Sequence, residues 1–199
     1  MKKVSIYLVS FFFFLQSSIL FSYSSDPEDF VNEVLTEAVN KLSDKNLDKK
    51  QKELFIEKVA LETVDINALG LYTLGELRKT SNENDIKKYQ ETFKRYFLKT
   101  LTSRLTDYSS SKFEILGDDK KSSNYTIVNS KIIPKDGGQE IKIDWRIYTK
   151  NPEKPLIRDL IVEGLSLART QKEEFASILN SNDNDIKILI KKLEEFSNN

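Results

Sequence analysis

The spacing of the apolar residues changes once along this chain, and that change bounds the folds open to it. From Asp26 to Tyr108 they recur every three or four residues, as on one face of a helix. From Lys112 to Ala168 they alternate or run in short blocks rich in β-branched side chains. Ser109-Ser110-Ser111 separates the two regimes. Short connections between the strands imply an antiparallel meander, and the segregation of helices from strands predicts one α+β domain with helices packed on a curved sheet.

Individual elements follow from their punctuation. A first helix opens at Asp26-Pro27-Glu28, with Asp26 as cap and Pro27 in the first turn, and carries Phe30, Val31, Val34, Leu35, Ala38, Val39 and Leu42. A second begins after Asp48 with Leu54, Phe55, Val59 and Leu61, and a third, short element holds Leu69, Leu71, Tyr72, Leu74 and Leu77. The longest helix is predicted from about Asp85 to Asp107, with Ile86, Tyr89, Phe93, Tyr96, Phe97, Leu101 and Leu105 along one face. Strands are predicted at Lys112 to Leu116, Tyr125 to Ile133, Glu140 to Lys150 and Leu156 to Ala168. Turns are marked by Gly117-Asp118-Asp119, by Pro134 to Gly138 and by Asn151-Pro152. In the last strand Gly164 reads as a bulge that bends the sheet, and Thr170, with Glu173 three residues on, reads as the cap of the next helix. Two helices, Gln171 to Leu179 and Asp185 to Phe196, close the chain.

The N-terminus has the pattern of a secretory signal: basic Lys2-Lys3, then a mostly apolar run from Val4 to Phe21, then small Ser22 and Ser24. Cleavage after Ser24 or nearby leaves residues 25–199 as a single exported domain. The competing reading is an uncleaved anchor, since the run approaches the ~20 residues that span a bilayer. No Cys follows the run, so a lipoprotein anchor is excluded.

The 31 basic and 31 acidic residues balance, and loss of Lys2 and Lys3 leaves the chain slightly acidic. Nucleic acid is therefore not an expected partner, because neutralising phosphates needs a basic excess or stripe. Long-range attraction to an anionic bilayer is equally unsupported. With no His and no Cys, Ser-His-Asp and Cys-His catalysis in their usual forms are excluded, as are zinc sites built on those ligands. Asp183-Asn184-Asp185 with Glu194 fails as a calcium loop, since Ile188 stands where the loop needs Gly. Gly137-Gly138 lies between strands and cannot be a phosphate cradle. No metal and no cofactor is expected.

The stretch Leu156-Ile157-Arg158-Asp159-Leu160-Ile161-Val162-Glu163-Gly164-Leu165-Ser166-Leu167-Ala168, followed by Arg169-Thr170-Gln171 and Phe175, resembles the strand-to-helix signature of the MlaC or toluene-tolerance family of periplasmic phospholipid carriers. Leu71-Tyr72-Thr73-Leu74-Gly75 looks like that family's "Y-x-L-G" segment, and Tyr89, Phe93 and Tyr96 like its aromatic helix. Phe175 to Leu179 and Ile186 to Leu193 resemble its ending. The chain departs in having Glu76-Leu77 where a Trp often follows "L-G", and Asn182-Asp183-Asn184 where a Gly is common.

The resemblance implies an NTF2-like fold, with helices on a strongly curved antiparallel sheet enclosing an apolar cavity. It implies a monomer that carries phospholipid through the periplasm of a Gram-negative bacterium, with its acyl chains buried. The implied partners are an inner-membrane ABC transporter complex with a lipid-binding ring subunit and an outer-membrane lipoprotein-porin complex, in a system that maintains outer-membrane lipid asymmetry. Such a carrier is not an enzyme. With on the order of 30 methylenes per diacyl lipid at ~0.8 kcal/mol each, free transit faces a barrier of order 20 kcal/mol, which an apolar cup removes.

On the third strand Ile141, Ile143, Trp145 and Ile147 share one face, and Lys142, Asp144, Arg146 and Tyr148 the other. The expected lipid wall is Ile143, Trp145 and Ile147 with Ile127, Val128, Ile161 and Leu165, closed from the helices by Tyr72, Leu74, Phe93, Phe97 and Leu101. The same residues would serve equally to fill a core, because alternation does not separate a packed interior from a cup. Glu163 and Arg158 are expected to be solvated or paired across strands. Two other classes stay open: a cavity enzyme of the NTF2-like fold using Asp144 or Asp159 as base, and a periplasmic adaptor that binds protein through an exposed apolar patch.

Overall fold

The computed structural model describes residues 23–105, 112–134 and 137–198. The apolar N-terminal run, the Ser109-Ser110-Ser111 break and Lys135-Asp136 lie outside them, as does the predicted end of the long helix. Five helices come first: α1 (Pro27–Ser43), α2 (Lys49–Thr63), α3 (Ile66–Thr73), α4 (Leu77–Thr80) and α5 (Glu83–Leu105). The strands β1 (Lys112–Ser122), β2 (Tyr125–Ile133), β3 (Ile141–Tyr148), β4 (Leu156–Val162) and β5 (Leu165–Ser166) follow, then α6 (Leu167–Asn180) and α7 (Ile186–Asn198). The sheet is an antiparallel meander in the order β1-β2-β3-β4-β5 and does not close on itself. Among the described residues no helix is long and apolar enough to cross a membrane.

Local chemistry explains the element ends. The Asp26 carboxylate accepts from the backbone N–H groups of Glu28 and Asp29, and Asp48 forms a reciprocal capping box with Gln51. Three expectations are corrected. Gly117-Asp118-Asp119 is no turn: β1 runs on to Ser122, with a register shift between Ile115 and Gly117 that bends the strand. The buried face of α2 is Ile56, Ala60 and Thr63, whereas Leu54 and Leu61 are 56 % and 47 % exposed. The third concerns the Val162-Glu163-Gly164-Leu165 segment, which is a two-residue hairpin and not a bulged strand. Glu163 (φ 49°) and Gly164 (φ 81°) both adopt the left-handed conformation that a type I′ turn requires. Glu163 holds this conformation with two bonds to Lys142, donating its N–H to the carbonyl at 3.0 Å and accepting the Lys142 N–H at 2.5 Å. β4 therefore ends at Val162, before the predicted Ala168, and Ser166, not Thr170, caps α6 by accepting from the Arg169 N–H.

Two hydrophobic cores result. One is helical, built from Tyr89 and Phe93 of α5, Phe175 and Leu179 of α6 and Leu189, Ile190 and Leu193 of α7, with Ile66 and Leu74. The other lies between α1 and one face of the sheet, where Phe30, Val31, Val34 and Leu35 meet Val128, Ile143, Trp145 and Ile147. Buried polar groups pair within each. The Thr73 and Tyr89 hydroxyls bond each other at 3.0 Å, and the Trp145 indole N–H donates to Ser130 Oγ at 2.8 Å.

A latch ties the start of α3 to β4. Val64, at the end of α2, bridges to Ile157 of β4, and the Asp65 N–H donates to the Ile157 carbonyl at 2.9 Å. Asp65 Oδ1 caps α3 through the Ala68 N–H, while Oδ2 accepts from Arg158 Nε and Nη2 at 2.9 and 2.7 Å. Arg158 Nη1 donates to the Tyr125 hydroxyl at 2.8 Å, and the guanidinium lies 3.4 Å from the centroid of the Tyr148 ring. Burial works against its charge, but the bonds to Tyr125 and Asp65 outweigh it and hold the guanidinium protonated beyond its ordinary range.

Two outcomes are expected from denaturant unfolding. A Cβ on Gly70 would stand 2.8 Å from Phe93 Cδ1, so Gly70→Ala should cost about 1–3 kcal/mol by forcing α3 off α5. Arg158→Met leaves Asp65 Oδ2 unpaired in a largely buried place and should cost about 2 kcal/mol. A double-mutant cycle with Asp65→Asn should return a coupling of about 1 kcal/mol; additive losses would mean that the latch is not a unit.

Candidate functional site

The face of the sheet away from α1 is not packed shut. Alternation along β2 and β3 presents Tyr125, Ile127 and Asn129 beside Asp144 and Arg146 on this side, and β4 adds Ile161. Ala68, Leu69 and Tyr72 of α3 and Ala168 of α6 stand opposite. Between them lies a cleft of about 810 Å³, open to solvent, with Asp119, Lys121 and Ser122 at its β1 rim and Arg158 in its wall. Its volume lies in the range of small-molecule sites, and its lining is mixed. Among the described residues the site is thus an open groove with Asn129, Asp144 and Arg146 in its floor, and an enclosed apolar cup is not seen.

Of the predicted wall, Tyr72, Ile127 and Ile161 line this cleft. Ile143, Trp145 and Ile147 do not: they project from the opposite face into the α1 core. Val128, grouped with Ile127 in the sequence, is likewise buried under α1, because adjacent strand residues point to opposite faces. Leu74 and Phe93 are buried in the helical core, with Phe97 packed partly against it. Leu101 is half-buried on α5. Leu165, on β5, is 58 % exposed. The predicted wall is therefore divided among two packed cores, a cleft and a hairpin.

A strand carrying Ile, Trp and Ile on one face points to that face as the ligand wall, so Asn129 and Arg146 carry no sequence signal of a site, while Asp144 has one only as a candidate base. Arg146 and Asp144 occupy the other face. The Asn129 amide donates to Asp144 Oδ1 at 2.8 Å. Asp159, 4 % exposed, is fully engaged: Oδ2 accepts from Ser166 Oγ at 2.6 Å and Oδ1 from the Ala168 N–H at 3.0 Å, and Arg146 Nη1 lies 3.5 Å from Oδ2. This carboxylate fixes the β5-to-α6 corner, so its place is structural. Asp144 does face the cleft, contrary to the reading that turned it away from the site. Lys172 Nζ stands 5.2 Å above the Tyr72 ring at the outer edge.

Comparison with known proteins fits this architecture. The chain matches the solved structure of a phospholipid-binding protein from Ralstonia solanacearum in complex with a phospholipid, with a TM-score of 0.72 and 17 % identity over 86 % of this chain and 97 % of that one. At that identity the likeness establishes the fold. No curated protein matches the sequence. The family model described as "MlaC protein" matches residues 28–195, nearly the whole described chain. This chain belongs to the MlaC family.

Proposed function

We propose that this protein binds phospholipid and carries it across the periplasm, between an outer-membrane lipoprotein-porin complex and an inner-membrane ABC transporter complex. The observation that carries the reading is the unfilled side of the sheet: a cleft of about 810 Å³ under α3, in a member of the MlaC family whose fold matches that of a lipid-complexed protein. Antiparallel sheets often leave one face to water, but here residues of α3 and α6 stand over that face without filling the space between, which leaves room for a ligand. Ile127, Ile161, Leu69 and Tyr72 offer it apolar contact.

The cleft as it stands shelters part of a diacyl lipid. Its apolar wall is the seam between the two cores, so α3 moving away from the sheet would extend it without unfolding either core. A carrier needs no catalyst and need not bind lipid much more tightly than a bilayer does; it lowers the barrier to crossing water. Exchange with membrane complexes then supplies direction, and this chain acts as a monomeric, non-enzymatic shuttle exported by its N-terminal segment.

Protein recovered from cells expressing the full chain, purified without detergent, should yield co-purified phospholipid near one per chain on extraction and mass spectrometry. Ile127→Asp and Ile161→Asp should lower that occupancy about tenfold or more, because a carboxylate against acyl chains is costly, while Leu165→Asp should not. Lipid-free protein in repeated preparations would refute carriage. Intact mass of the periplasmic protein should correspond to a chain starting near Ser25; a mass that retains Met1 to Ser24 would overturn export by cleavage.

A further inference from the structure

The cleft contains two arginines with opposite bonding. Arg158 is spent: Nε, Nη1 and Nη2 all donate to Asp65 or Tyr125, and its plane is covered by Tyr148. Arg146 is not. Among the described residues its guanidinium makes no hydrogen bond within normal reach and has one carboxylate partner, Asp159, 3.5 Å from Nη1, while its side chain stays 44 % exposed in the cleft floor. Asp159 also accepts from Ser166 Oγ and the Ala168 N–H, so the guanidinium is not its sole partner. A planar fork of N–H donors set in the floor of a groove, flanked by Ile127, suits a phosphate, which it can engage with two parallel bonds.

Asp144 stands two residues away on the same strand and face, about 6–7 Å along it. It has no cationic partner among the described residues; its one bond is from the Asn129 amide. At the rim Lys121 and Asp119 pair with each other. The floor thus presents, on one strand face, an under-bonded cation and an anion without a cationic partner, and a ligand that carries a phosphate and an amine on a short linker, as an aminoethyl phosphate does, offers a complement to each. We propose that Arg146 anchors the phosphate of a bound lipid headgroup and that Asp144 receives its amine, making the cleft selective for zwitterionic amine-bearing phospholipid. This rests on the lipid-carrier reading and adds which headgroup the site prefers.

The test compares retention of three lipids with identical acyl chains by the purified full-chain protein, offered from vesicles: phosphatidylethanolamine, phosphatidylglycerol and, doped into a neutral host, diacylglycerol. The wild type should retain phosphatidylethanolamine about tenfold better than diacylglycerol and several-fold better than phosphatidylglycerol. Arg146→Gln should erase the preference for phosphate while keeping diacylglycerol retention. Asp144→Asn should erase only the preference for the amine, a separation that general loss of stability would not produce. An undiminished phosphate preference in Arg146→Gln, or equal retention of the two phospholipids by the wild type, overturns the proposal. Displacement by millimolar inorganic phosphate, with no lipid retained, would identify a soluble phosphate as the ligand and overturn it too. Retention of none of the three lipids and no phosphate binding defeats the carrier reading itself, whereas diacylglycerol retained equally by wild type and variant defeats only the headgroup assignment.

Discussion

The contact between Asp65 and Arg158 organises the cleft, because it joins groups separated by 93 positions where α3 meets β4. Asp65 caps α3 with one oxygen and receives Arg158 with the other, so the direction of α3 and its distance from β4 are set together. The bridge from Val64 to Ile157 adds backbone pairing to the same place. Ala68, Leu69 and Tyr72, which border the cleft from α3, hang from this joint, whereas Ala168 of α6 is held by Asp159. A mixed latch of ion pair, hydrogen bonds and an arginine stacked on tyrosine can hold a gap that apolar packing alone would tend to close, since it fixes separation and orientation where burial rewards only contact.

The two cores explain why the gap persists. The α1 side of the sheet is filled by Val128, Ile143, Trp145 and Ile147, and the helical core is filled around Phe93 and Phe175, so each half buries its apolar surface without needing the seam. The seam is left with Asn129, Asp144 and Arg146 in its floor, groups that remain solvated at little cost in an open groove and would be expensive in a sealed one. A site for an amphipathic ligand needs this compromise of apolar walls beside polar anchors.

Much of the architecture was legible because it rests on short-range rules. Asp26-Pro27 and Asp48 announced two helix starts, and the period change around Ser109-Ser111 announced the passage from helices to sheet. Arg158 was read as a candidate for pairing, although its partner, far away in sequence, carries no local signal. Where sequence reasoning failed, a local pattern had two solutions. Gly164 fits a bulge or a turn; the left-handed conformation of Glu163 beside it makes the turn, and nothing in the residue type Glu foretells that. Likewise the apolar residues of α2 did not mark its buried side, because packing against α1 and α5 selected Ile56, Ala60 and Thr63 and left Leu54 and Leu61 in water.

The sequence by itself determined the kinds and order of elements, the antiparallel meander and the resemblance to one family, since capping, turn chemistry and apolar periodicity act within a few residues. Only the tertiary structure decided which face of the sheet is core and which is cleft. A period of two assigns side chains to two faces but is symmetric between them, and the position of α1 over Trp145 breaks that symmetry. The same placement put Arg146 and Asp144, on the face opposite the expected lipid wall, into the floor of the groove.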